Sequence, residues 1–304
     1  MRTATTRPGQ PVAFVLSGGA GYGAVQVGML QALTAAGIRP DLVVGTSAGA
    51  LNAAAYAADP TPAGLDRLAG AWKTARRADI FPLHPTDVLP GLLGRRDHLV
   101  SPEGLRSWLG THLQLDLLEQ TAIPVHVVAT DLASGAPVVI SAGDAVTALL
   151  ASSAVPGIFP PVQIAGQLLL DGGITADTPI SQASDLGAGT IYVLPSHGVG
   201  PAPHGRARTA LGLGIYAYSQ ISANWTNDRV AAARGATVHL IPAPTRHRIS
   251  PFDLSCGAEL IAAGALATTS WLARPAPARS VPARSVPARS VPARPVPARL
   301  VVAA

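Results

Sequence analysis

The sequence predicts an α/β domain whose mostly parallel sheet is covered by helices on both faces. Three observations carry this. β-type runs and helical patterns alternate from residue 11 to about 273, two strand-to-helix junctions are glycine-rich, and no apolar stretch reaches the eighteen residues of a spanning helix. Alternation is informative because parallel neighbours cannot be joined by a tight turn. The chain must cross back over the sheet, usually as a helix.

In chain order, residues 11–16 (PVAFVL) form the first strand, and 22–36 a helix that stops at Gly37. A second short strand covers 41–45 (DLVVG), followed by a small-residue helix from Ala48. Further strands are expected at 123–130, 138–141, 167–170, 190–195 and 237–241, with helices at 101–110, 144–153, 205–233 and 255–272. The segment 80–100 (IFPLHPTDVLPGLLGRRDHLV) is broken by prolines and carries two apolar clusters beside Arg95 and Arg96. It is expected to be an irregular surface loop, a lid or a lipid-facing loop over a site.

The formal net charge of +5 is misleading as a sign of nucleic-acid binding. Arg274, Arg279, Arg284, Arg289, Arg294 and Arg299 all lie in a final stretch without Asp or Glu, and without them 16 basic residues face 17 acidic ones. That stretch repeats ARSVP-type units, in which recurrent proline blocks helix and ladder alike, so a disordered appendage is expected from about Pro275. It reads either as a low-complexity extension without a role or as a basic tether to acidic lipid surfaces or nucleic acid. For the folded part no nucleic acid is expected. The apolar run 12–16 ends at a glycine loop with no longer apolar region behind it, so it reads as a strand rather than a secretion signal. The single cysteine, Cys256, agrees with a reducing compartment, and a cytoplasmic location follows.

The sharpest chemical signal is DLVVGTSAGALNAAA: a strand, then Gly45-Thr46-Ser47-Ala48-Gly49, then a helix. A serine at such a turn is held in a strained conformation with its hydroxyl projecting beyond the sheet. The flanking glycines let neighbouring backbone approach, and the helix behind points its positive end at developing negative charge. Ser47 is therefore the candidate nucleophile. A second loop, Ser17-Gly18-Gly19-Ala20-Gly21, also joins a strand to a helix, and its amides suit an anion. That anion is either the oxyanion of a tetrahedral intermediate or a dinucleotide pyrophosphate, since Gly19-x-Gly21-x-x-Ala24 fits a loose dinucleotide pattern. The second option needs an acid at the end of the next strand. Asp41 stands at the start of that strand, which runs into GTSAG, so the oxyanion reading is the stronger. A third motif, LLLDGG, carries Asp171 from an apolar strand into a turn made by Gly172 and Gly173. A carboxylate there can approach a serine on a neighbouring loop, although DGG alone is also a common turn.

The blocks SGGAGYGAVQVGML (17–30), GTSAG (45–49), ASSAVPGIFPPV (151–162) and DGG (171–173) stand in the order and spacing of the patatin-like phospholipase family, which the chain resembles over residues 12–195. The resemblance implies a modified α/β-hydrolase fold of three layers and a Ser–Asp dyad in place of a triad. It makes Ser47 the nucleophile and Asp171 the base, with backbone amides at Gly18, Gly19 and Ala20 as the oxyanion hole and no cofactor. Two positions depart from the family pattern: Ala20 replaces a third glycine and Tyr22 replaces a cation, which bears on head-group affinity. A conventional triad remains open, with His197 after the strand TIYVLP as its base. His126, inside a strand pattern, reads as a packed residue, and Asp131, Asp144 and Asp177 as turn or helix caps. No metal-ligand spacing occurs.

The expected organisation is a short N-terminal arm (1–11), a catalytic core (12–195), a completing region (196–273) and the tail (274–304). The expected function is a serine-dependent hydrolase of lipid or other acyl esters, with peripheral contact to a membrane surface. Its rivals are a non-catalytic lipid- or protein-binding member of the fold and a nucleotide-dependent oxidoreductase.

Overall fold

Strand β1 (Val12–Leu16) is apolar throughout and fully buried from Ala13 onward, because both of its faces are covered. The pleat sends Phe14 and Leu16 into the larger core and Ala13 and Val15 into a smaller one on the opposite face. The structure, a computed structural model, describes residues 9–196, 235–244, 250–274 and 299–300. In it β1 lies between β2 (Leu42–Thr46) and β7 (Thr190–Leu194), parallel to both. β3 (Val125–Asp131) extends the parallel array beyond β2, and β8 (Thr237–Leu240) beyond β7.

The crossovers are helical, as the alternation requires. After a 3₁₀ turn (Ala20–Gly23), α1 (Ala24–Ala35) leads back to β2, and α2 (Ala48–Ala58) leaves it. The expected first helix thus begins two residues late, since the glycine-rich stretch before Ala24 takes the tighter turn. A helix not anticipated, α3 (Pro62–Thr74), is opened by the Thr61 hydroxyl accepting from the Gly64 amide at 3.1 Å, with Pro62 just inside. The segment expected to be irregular, 80–100, holds one short helix, α5 (Pro85–Leu92), and is preceded by another, α4 (Arg77–Ile80), which ends at its first residue. Then follow α6 (Glu103–His112), α7 (Ala145–Ser152), α8 (Gly173–Ala176), α9 (Ile180–Asp185) and α10 (Gly257–Ala273). The helix expected at 205–233 and His197 lie outside the described residues. So does the tail, apart from Arg274 and a two-residue strand, β9 (Arg299–Leu300), whose backbone pairs with β4 (Pro137–Ile140). Among the described residues, no helix is long and apolar enough to cross a membrane.

The sheet is parallel except around β3. There β4 returns antiparallel after a tight turn fixed by Asp131, whose Oδ1 accepts from the Ser134 amide (2.7 Å) and hydroxyl (2.6 Å). These bonds, the Ser134 hydroxyl first, hold the Asp131 carboxyl below its ordinary value. β6 (Gln167–Asp171) also runs antiparallel to β3, with β5 (Val162–Ile164) beyond it.

A strand has only two edges. β4 pairs with residues 127–130 of β3, while β2 pairs with 125–128 and β6 with 129–131. Because β4 overlaps both, β2 and β6 share the opposite edge, and their C-terminal ends meet head to head: Thr46 opposite Val128, Asp171 opposite Ala129. This junction carries the candidate site.

α10 closes the larger face by lying on α1, backbone against backbone. A Cβ on Gly28 would sit 1.9 Å from the Ile261 carbonyl oxygen, and one on Gly264 2.1 Å from that of Val25. Gly28→Ala is therefore expected to destabilise the fold by about 1–3 kcal/mol or more, read as a lowered urea midpoint. Gly70, in α3 with nothing within 4 Å of its added Cβ, is the control. Gly70→Ala should raise the unfolding free energy by about 0.5–1 kcal/mol, read as a higher midpoint. Equal effects from the two substitutions would show that the close helix contact does not matter.

Candidate active site

Ser47 lies between β2 and α2 with φ 53° and ψ −126°, a conformation that L-residues adopt only under constraint. The constraint comes from close backbone on several sides. A Cβ on Gly45 would fall 2.5 Å from the Gly49 oxygen, and one on Gly49 2.4 Å from that of Leu16 and 2.5 Å from that of Ser17. Both positions of the G-x-S-x-G pattern thus need glycine for space. Thr46 Oγ1 donates to the Ala176 carbonyl at 2.7 Å, and the Ser47 carbonyl accepts from Ala50 N at 2.8 Å, which starts α2. Ser47 remains partly exposed.

Ser152 supplies a tie that sequence reasoning missed. Its fully buried hydroxyl accepts from the Ser47 amide at 2.8 Å and donates to the Val128 carbonyl at 2.6 Å. Its own carbonyl accepts from Gly172 N at 3.3 Å, and that of Ala154 accepts from Asp171 N at 2.9 Å. The end of α7 therefore holds the serine turn and the aspartate turn together. Asp171 is 1% exposed; its Oδ1 accepts from Gly173 N at 2.7 Å and its carbonyl from Thr130 Oγ1 at 2.9 Å. Gly172 makes the approach feasible, for a Cβ there would lie 2.2 Å from the Val128 oxygen and 2.9 Å from Thr46 Cγ2.

The glycine loop passes the same point. A Cβ on Gly18 would lie 3.5 Å from Ser47 Cβ and 2.7 Å from Asp177 Oδ1. The Gly18 amide, one of the three expected oxyanion donors, is already bonded to the Asp177 carbonyl at 3.0 Å. The Gly19 and Ala20 amides make no hydrogen bond among the described residues, and both residues have positive φ, 147° and 48°. The Gly18 carbonyl accepts from the Ser17 hydroxyl at 3.1 Å and from the Ser196 hydroxyl. A trans peptide points its N–H opposite to its C=O, so these two serines fix the direction of the Gly19 amide. Asp177, expected as a turn or helix cap, is the C-cap residue of α8 and also abuts this loop, and Asp144 caps α7 through Thr147 N at 2.7 Å.

Behind the loop lies a buried polar chain. Trp72 Nε1 donates to Asn52 Oδ1 (2.7 Å), and Asn52 Nδ2 to Gln26 Oε1 and the Gly23 carbonyl (2.9 Å each). Gln26 Nε2 donates to the carbonyls of Ser17 (2.7 Å) and Leu194 (3.0 Å). Both ends of the 17–23 loop are thereby fastened. Gln26 among valines and Asn52 among alanines are buried polar residues in apolar runs, a signal that could have found them.

The dinucleotide alternative fails on position. Asp41 accepts from Val12 N through Oδ2 at 2.7 Å, at the N-terminal end of β1. The glycine loop leaves the other end of that strand, about 16 Å away at 3.3 Å per residue. His126, expected as a packed core residue, is only half-buried and shares a 2.7 Å hydrogen bond with Ser141, just past the end of β4.

A strained serine turn, a glycine loop and a buried aspartate on one mostly parallel sheet between helices are an arrangement of the α/β-hydrolase kind. The chain belongs to the patatin-like phospholipase family, whose model matches residues 14–184. It is 30% identical over 193 residues to an uncharacterised NTE family protein of Mycobacterium tuberculosis, covering 63% of this chain and 51% of that one. It is 29% identical to human patatin-like phospholipase domain-containing protein 6 (64% and 14% covered) and to the lysophospholipase nte1 of Aspergillus terreus (61% and 12%). The chain thus spans about half or less of the length of these relatives.

Removing the Ser152 hydroxyl should leave the Ser47 amide without its buried acceptor. Ser152→Ala is expected to cost about 1–3 kcal/mol of unfolding free energy, measured by urea denaturation. An unchanged midpoint would mean that this bond does not hold the turn.

Proposed function

We propose that this protein is a serine-dependent lipid acyl hydrolase, an esterase of the phospholipase A or lysophospholipase type, working with a Ser47–Asp171 dyad. The observation that supports the reading is the head-to-head meeting of the C-terminal ends of β2 and β6 on one edge of β3, with the glycine loop passing beside Ser47. Family membership and the named lysophospholipase relative support the substrate class.

In this mechanism Ser47 Oγ attacks the ester carbonyl carbon while Asp171 takes the hydroxyl proton. The carbonyl π electrons move to oxygen, and the Gly19 and Ala20 amides receive that charge, aided by the N-terminus of α2. Gly18 drops out as a donor, since its amide serves Asp177, and instead lets the loop pass close to Ser47. Collapse of the oxyanion expels the alcohol, which takes the proton from Asp171. Water then adds to the acyl-serine as Asp171 accepts its proton, and a second collapse releases the fatty acid and returns the proton to Ser47 Oγ. The donors are fixed before substrate arrives, so little reorganisation is needed during reaction. Tyr22, in place of the family's cation, packs against the core and offers no fixed positive charge to a head group.

The test compares three variants on one short p-nitrophenyl ester after circular dichroism has confirmed folding. Ser47→Ala should abolish hydrolysis and labelling by a fluorophosphonate probe. Asp171→Asn should lower kcat by about a thousandfold or more with little change in KM, since the lost interaction belongs to the transition state. His197→Ala should cost less than about tenfold. A His197 variant as inactive as Ser47→Ala would instead assign a conventional triad. A wild-type protein that neither turns over nor takes the probe would be a binding member of the fold.

A further inference from the structure

Helix α5 differs from its neighbours in having no buried residue. Leu89 and Leu92 on it are 59% and 70% exposed, and Leu83 and Leu93 at its ends 55% and 60%. Half of the exposed large hydrophobic side chains among the described residues thus fall within one stretch of eleven. Leu89, Leu92 and Leu93 follow i, i+3, i+4 spacing, so they share one face of the helix and its C-terminal cap.

The inner side of this segment is anchored beside the candidate site. Phe81 stacks on Phe159 with centroids 5.5 Å apart and meets Phe252 edge-on at 5.1 Å. His98 bridges to Gly157, and Leu99 N donates to the Gly157 carbonyl at 3.1 Å. The block it grips, 151–162, is the one whose Ser152 holds the Ser47 amide. Exposed cations flank the leucines: Lys73, Arg76 and Arg77 on one side, Arg95 and Arg96 on the other. Three acids lie among them, Asp79, Asp87 and Asp97, and Asp87 is paired with Arg96. The balance is positive.

We propose that residues 83–93 form an interfacial anchor for an anionic lipid bilayer, deepening the lipid-hydrolase reading on which it rests. The leucine side chains enter the acyl layer, and Arg95, with Arg76 and Arg77, meets lipid phosphates. An amphipathic segment with an apolar face and basic flanks is stable at such a boundary. A second copy of the chain is the weaker occupant, because four leucine side chains fall short of the roughly 800 Å² per partner that a stable dimer buries.

The experiment is co-sedimentation of the full-length protein with vesicles of phosphatidylcholine and phosphatidylglycerol (3:1), at low and at high salt. The arginines of the C-terminal repeat also attract anionic vesicles, but salt screens that attraction and leaves leucine insertion. Wild type should bind at both salts. Leu89→Ser/Leu92→Ser/Leu93→Ser should bind at least tenfold more weakly at high salt, with unchanged melting temperature and unchanged hydrolysis of a soluble ester. Arg95→Glu should weaken binding mainly at low salt. Absence of wild-type binding at high salt would overturn the anchor, as would a triple variant that binds like wild type. So would a triple variant that changes the sedimentation-velocity mass while vesicle binding persists, because the leucines would then form a protein interface. Vesicle binding needs no turnover, so Ser47→Ala should bind like wild type. Loss of ester hydrolysis alone would therefore count against the proposed chemistry and not against the anchor.

Discussion

The two available edges of β3 are the constraint on which the site depends. With β4 on one edge, β2 and β6 must divide the other, and their ends face each other across a single residue step. The side-chain period of a strand is two, so a one-residue slip of β6 would turn Asp171 to the opposite face. The register is secured at the junction by Asp171 N on the Ala154 carbonyl and Gly172 N on that of Ser152. α7 thus acts as a gauge for the distance between serine and aspartate turns.

Close backbone contact is the second theme, and it joins the fold to the chemistry. At Gly45, Gly49, Gly172, Gly28 and Gly264 an added Cβ would sit 2.5 Å or less from a carbonyl oxygen of a neighbouring element. No other side chain fits such gaps without moving an element. The strain at Ser47 can persist because these contacts, with the Ser152 hydroxyl, leave the turn no nearby alternative. The Trp72–Asn52–Gln26 chain extends the same rigidity to the glycine loop, holding its two ends by the Ser17 and Gly23 carbonyls and tying them to that of Leu194 on β7, without exposing a polar group to solvent. A buried network with its members paired favours one arrangement over many.

The rigid junction contrasts with the exposed face of α5 nearby. Reaction needs donors that do not move, whereas a lipid surface needs apolar side chains that water alone does not favour exposing. On the proposed reading the two demands fall to separate segments, linked by the Phe81–Phe159 stack and the His98–Gly157 bridge. Chemistry and contact with bulk substrate can then be altered separately.

The alternation of strands and helices, the serine turn and the glycine loop were legible in the sequence because each rests on local rules: periodicity, glycine spacing and strand-to-helix order. Ser47 could be named from five consecutive residues. Asp171 could be flagged only in company, since DGG alone does not say what it faces; the meeting of its strand end with that of β2 follows from their shared pairing with β3. For the same reason the roles of Ser152 and Ser196 passed unnoticed, though the first lies inside a block already singled out and the second directly after an expected strand. The engaged Gly18 amide, and the placing of Asp41 at the far end of β1, likewise required elements distant in sequence. Sequence by itself determined which residues can do chemistry, because that is a property of side chains and local backbone. Tertiary structure decided which of them meet, because register and edge sharing are set by packing between elements that the chain order leaves far apart.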